Sequence, residues 1–146
     1  MREILFRGKK DNGTWAYGSL IHVDTYCCIL EDEEKVHPMD YPYLDDEWGT
    51  FDGKATPVNP ETVGEYTGLV DKNGVKIYEG DIVRTKYGRL CIVVWFASPQ
   101  HNGWDLTPVD TIENILYTKC PDLYDIYKRD NLEVIGNIHD NPELMK

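Results

Sequence analysis

Glu79 and Asp81 flank Gly80, and two carboxylates held that close can share a divalent cation or work as an acid/base pair. Acidic residues beside a tight turn more often accept hydrogen bonds from backbone N–H groups, and that is the reading we favour for this pair. A metal-assisted hydrolase, the enzymatic alternative, would also need a histidine. His22, His37, His101 and His139 fall in no ligand pattern such as His-x-x-x-His; His139 with Asp140, and His101 with Asp105, are the ones able to meet carboxylates in space. Cys27, Cys28, Cys91 and Cys120 lack Cys-x-x-Cys spacing, so no metal site and no cofactor are expected and free thiols follow. No Ser or Cys stands in a nucleophile elbow. Gly64, Gly68 and Gly74 read as turn glycines rather than as a phosphate loop.

Binding chemistry has two further candidates. Arg84, Lys86 and Arg89 cluster around Tyr87-Gly88, and small β-barrels bind nucleic acid through basic faces and stacked aromatics. Against this stands the whole chain: 26 acidic and 15 basic residues give a net charge of −11, which disfavours attraction to nucleic acid or to an anionic membrane. No apolar run approaches the roughly 18 residues of a membrane span. Residues 31–52 hold nine acidic residues and one lysine, so eight of the eleven net charges fall there. The same segment carries Tyr41, Tyr43 and Trp48, which are favoured interface anchors, so it is the expected partner-binding surface if the chain binds another protein. The plainer account is a solvated loop whose aromatics lie back on the core.

The elements that must position these groups read as strands. Residues 3–7 form a short first strand, Asp11-Asn12-Gly13 a turn, and residues 14–23 a strand with Trp15, Tyr17 and Ser19 on one face and Ala16, Leu20 and His22 on the other. Residues 25–30 are its hairpin partner. Pro38 and Pro42 break regular structure in the acidic stretch. Residues 55–65 read as a connector, with Asn59 capping one helical turn at Pro60. Two regions follow: 1–58, a meander with the acidic excursion, and 59–146, a central and C-terminal β unit, the two being separable or continuous.

Residues 64–96 are the densest β stretch. Asn73-Gly74 suits a two-residue hairpin with both central residues at positive φ. Glu79-Gly80-Asp81 is a sharp bend, Tyr87-Gly88 a second reversal, and residues 90–96 the most apolar run. Short, tightly turned strands predict a mainly β fold of small, strongly bent antiparallel sheets, its centre resembling an SH3-like barrel. Residues 104–109 add a strand that Pro108 places at an edge. Residues 111–117 and 121–129 have helical spacing, for one or two short helices in the C-terminal third. Residues 132–138 form a last strand, and Asn141-Pro142 opens a final helical turn. Exposed edges and abundant aromatics also make a homo-oligomer an expectation.

Several blocks carry a resemblance: Glu65-Tyr66-Thr67-Gly68-Leu69, Asp71-Lys72-Asn73-Gly74, Ile77-Tyr78-Glu79-Gly80-Asp81-Ile82-Val83, the tail Glu133-Val134-Ile135-Gly136-Asn137-Ile138-His139-Asp140-Asn141-Pro142-Glu143-Leu144, and the opening Arg2-Glu3-Ile4-Leu5-Phe6-Arg7. Together they resemble the YopX family of phage and prophage proteins. The resemblance implies a mainly β fold and a phage or bacterial source, and it brings no activity and no catalytic residues. With only Ile4, Leu5 and Phe6 as the apolar core of the first ten residues, too few for a signal peptide, the expected location is the cytoplasm.

Overall fold

The computed structural model describes residues 3–31, 55–97, 99, 102–109 and 131–145. Spatial contacts divide the chain into Met1–Glu65 and Tyr66–Lys146.

In the first unit, β1 (Phe6–Lys9), β2 (Trp15–Val23), β3 (Tyr26–Leu30) and β4 (Ala55–Val58) form an antiparallel ladder in the order β4-β3-β2-β1. Arg7 and Phe6 on β1 pair in turn with Gly64 and Glu65, the first residues of β5 (Gly64–Val70). The alternation of β2 decides what the ladder buries. Ala16 is buried and Leu20 packs beside it, against Cys27, Ile29, Val58, Phe6 and Val63; Tyr17 on the opposite face is exposed, and so is His22, which shares the Ala16 face but lies near the strand end. Gly18 lies on the same face, where an added Cβ would collide with the Leu30 carbonyl oxygen, so β2 approaches β3 closely only because this residue has no side chain.

The expected connector at 55–65 is more regular than its two prolines suggest. Residues Ala55–Val58 pair with β3, placing Pro57 opposite Cys28 on an outer strand, where a missing N–H costs no ladder bond. The turn at Pro60–Thr62 is a 3-10 turn, capped as expected by Asn59, whose side chain accepts from the Glu61 amide at 3.0 Å.

In the second unit the rest of β5 pairs with β6 (Lys76–Tyr78), setting Tyr66 directly opposite Tyr78 with ring centroids 5.7 Å apart. A separate sheet runs β10-β7-β8-β9, from β7 (Asp81–Arg84), β8 (Leu90–Ala97), β9 (Asn102–Pro108) and β10 (Glu133–Asn137). β9 is an edge strand ending in Pro108, as the proline implies. Ile77 of the hairpin packs with Val83, Cys91, Val93, Leu106 and Leu132 of or beside the sheet, and Leu69, Trp104 and Val134 close round them.

The barrel expected at the centre of the chain and the two-residue turn expected at Asn73-Gly74 are both corrected. No closed barrel forms among the described residues: β9 and β10 end their sheet without pairing to each other. The stretch 64–96 is divided, since the Glu79-Gly80 bend hands the chain from the β5–β6 hairpin to the four-stranded sheet. The Asn73-Gly74 turn also differs in kind. Only Gly74 has positive φ, at +82°; its amide donates to the Asp71 carbonyl and the Asp71 amide to the Val75 carbonyl. That is a three-residue loop with glycine in the left-handed position, which relieves the residue before it of any unusual φ. Lys86-Tyr87-Gly88 repeats the pattern between Thr85 and Arg89. Pro142–Met145 makes the expected final turn as a 3-10 turn, and the helices expected within 111–129 lie outside the described residues.

Candidate functional site

Asp81 is 1% exposed, and its Oδ2 accepts from the Tyr78 amide at 2.8 Å. The carboxylate therefore stabilises the bend from inside, as the turn reading of this acid holds. Glu79 is half-buried beside it. Gly80, at φ +86°, ties the bend down on two sides: its amide donates to the Val93 carbonyl, and its carbonyl accepts from the Ile138 amide, both at 2.9 Å.

His139 is the histidine brought to this bend. Pairing of Asn137 with Asp81 carries it there, and its Nε2 lies 3.9 Å from where a Cβ on Gly80 would stand. The loop that holds it is built by Asn137, whose Oδ1 accepts from the His139 and Asp140 amides while its Nδ2 donates to Asp140. Among the described residues, no group of three or more His, Cys, Asp or Glu side chains is arranged to hold a metal ion. Asp81 points to a backbone amide, and His101 lies outside the described residues.

Arg84 and Lys86 are brought together, and sequence reading missed what joins them. An open groove of about 520 Å³ is lined by Lys72, Arg84, Thr85, Lys86, Gly88, Asn131 and Glu133. Two pairings create it. Glu133 stands opposite Arg84 in the β10–β7 ladder, and the Lys72 amide donates to the Leu132 carbonyl, docking the Asp71–Gly74 turn on the start of β10. Glu133 Oε2 then contacts Arg84 Nη2 at 3.0 Å and Lys72 Nζ at 3.3 Å. The hydrogen bond from Arg84, and after it that from Lys72, holds the Glu133 carboxyl below the usual carboxylate range. Arg89 is exposed on the same turn but lies outside the lining, and Lys86 covers one face of the exposed Tyr87 ring, 4.9 Å from its centroid. The missing signal was the 63-residue separation between the Asp71 turn and β10, which no local pattern records.

The β8–β9 hairpin carries a second feature. Cys91 and Val93 are buried, but the strand outruns the core, so Trp95 and Phe96 are 50% and 40% exposed. Trp104 stands across from Trp95, edge to face at 4.9 Å between centroids. Both tryptophans read in the sequence as ordinary strand residues. Tyr41, Tyr43 and Trp48 lie outside the described residues.

Cys27, Cys28 and Cys91 take part in no disulfide among the described residues; burial, and secondarily its neighbour Cys27, push the Cys28 thiol up. No helix among the described residues is long and apolar enough to cross a membrane.

The model of the YopX protein family matches residues 5–146. The chain belongs to that family. Comparison with curated proteins gives no significant match. Among solved structures, protein EF1440 from Enterococcus faecalis is similar over 100% of both chains, with a TM-score of 0.51 and 22% identity, a likeness of fold alone.

Proposed function

We propose that this YopX-family chain is a non-enzymatic interaction module that binds a protein of a phage or of its bacterial host, in the host cytoplasm. The observation that best supports this reading is the aromatic end of the β8–β9 hairpin. Trp95 and Phe96 stay exposed beyond the buried run Cys91-Ile92-Val93 of the same strand, and Trp104 braces Trp95 edge to face. Large, rigid aromatics held in one place supply contact area at low entropic cost, which is why Trp and Tyr anchor interfaces. The acidic segment 31–52, with Tyr41, Tyr43 and Trp48, suits the same role and favours a basic partner surface. Commitment of Asp81 to the Tyr78 amide speaks for binding over hydrolysis.

Affinity capture from host lysate tests the reading with two variants, Trp95→Ala/Phe96→Ala and Tyr41→Ala/Tyr43→Ala/Trp48→Ala. One partner, recovered by the native chain and lost with either variant, is the expected result. Recovery of nothing, or of the same proteins by all three chains, overturns it.

A further inference from the structure

We propose that the groove between the Asp71–Gly74 turn, the β7–β8 turn and β10 binds single-stranded nucleic acid, phosphates in the groove and a base on Tyr87. This site is separate from the aromatic hairpin and shares no residue with it.

Charge comes first. Lys72, Arg84 and Lys86 line the groove with one carboxylate, Glu133. Both ionic contacts of Glu133 go to the single oxygen Oε2, so one negative charge orients two cations and leaves the lining net positive. The Lys72 and Arg84 side chains remain about half exposed, at 46% and 48%. A guanidinium has five N–H donors, so Arg84 keeps donors for a phosphate oxygen after bonding Glu133. Thr85, Asn131 and the side-chain-free Gly88 complete a wall that a sugar–phosphate chain can approach closely. The chain's net −11 does not weigh evenly against this, because eight of those charges lie in 31–52.

The aromatic decides the ligand class. Tyr87 sits between two lining residues, Lys86 and Gly88, and is 79% exposed. Lys86 covers one ring face, leaving the other for a stacked base. Cations tracking a backbone beside an aromatic platform are the arrangement of single-strand binders, whose sites span about 4–16 nucleotides. An acidic peptide would satisfy the cations and leave Tyr87 unused.

The test is fluorescence anisotropy of the full chain with labelled oligo(dT) and oligo(U) of about 12 nucleotides, from about 20 to 200 mM salt. Binding should weaken with salt. Lys72→Ala and Lys86→Gln should each flatten the logarithmic salt slope by about 0.7. Tyr87→Ala should weaken binding about tenfold with the slope unchanged. Lys86 and Tyr87 are exposed, so these variants keep the fold, and matching circular dichroism confirms it. No anisotropy change at the lowest salt, or unaltered binding by Lys86→Gln and Tyr87→Ala, overturns the proposal. So does displacement by polyglutamate as efficient as that by unlabelled oligonucleotide, which would give the groove to an acidic protein.

Discussion

Asp71 Oδ2 accepts a hydrogen bond from the Val134 amide at 2.9 Å, across 63 residues of chain. Its other oxygen accepts from the Asn73 and Val75 amides at 2.8 and 2.9 Å, so one carboxylate, 5% exposed, closes a hairpin loop and fastens it to the edge of a sheet. Asp71→Ala leaves three amides without this acceptor and should cost about 3 kcal/mol in urea unfolding. Asp71→Asn keeps an oxygen for the loop amides and loses the bond to Val134, so it should cost about half as much. Equal losses in the two variants would count against separate roles for the two oxygens.

Gly18 has less room for a side chain than the other described glycines of the first unit. A methyl group there meets the Leu30 carbonyl, which belongs to the β3 backbone and has no rotamer to escape into. Gly18→Ala should destabilise by about 3 kcal/mol, whereas Gly13→Ala, where the same atom meets nothing, should cost less, through its positive φ alone. Thermal melts of the two variants make the comparison.

Glu133 gives the fold a defined acid dependence. Its carboxyl is held low, by Arg84 first and Lys72 second, so its folded value lies below the unfolded one. The stabilisation is therefore fully present above the unfolded carboxylate value and is lost as pH falls through the folded one. The melting difference between the native chain and Glu133→Gln should be largest near neutral pH and shrink on acidification. A difference that grew towards low pH would contradict the assignment.

Cys28 should be a slow nucleophile. Burial and the adjacent Cys27 raise its pKa, so the thiol form prevails at neutral pH. Peptide mapping after iodoacetamide treatment of the folded chain should show little labelling of Cys28 near pH 7 and a steep rise under alkaline conditions. Unfolding should move that rise to lower pH, because the thiol then returns to its ordinary value.

Much of the strand order was readable because it rests on short-range chemistry. The alternation of Ala16, Tyr17 and Leu20, the Asn59 cap and the edge position implied by Pro108 each depend on a few neighbouring residues. What could not be read depends on pairings far apart in sequence. That the bend at Gly80 separates two sheets follows from bonds to Val93 and Ile138, and the basic groove exists only because β10 lies beside β7. The second ends of such contacts leave no mark near the first. Pro57 misled for the opposite reason: proline forbids a central strand and permits an outer one, and only the finished ladder tells which it is.

The arrangement of β10 beside β7 has a consequence for assembly in the cell. During synthesis β7 and β8 leave the ribosome together and can pair at once, but the other edge of β7 has no partner until residue 133 appears, 49 positions after Arg84. Through that interval an apolar strand edge stands open to neighbouring nascent chains, the exposure by which β proteins aggregate. Arg84 at the end of that edge meets its ionic partner Glu133 only when β10 is added.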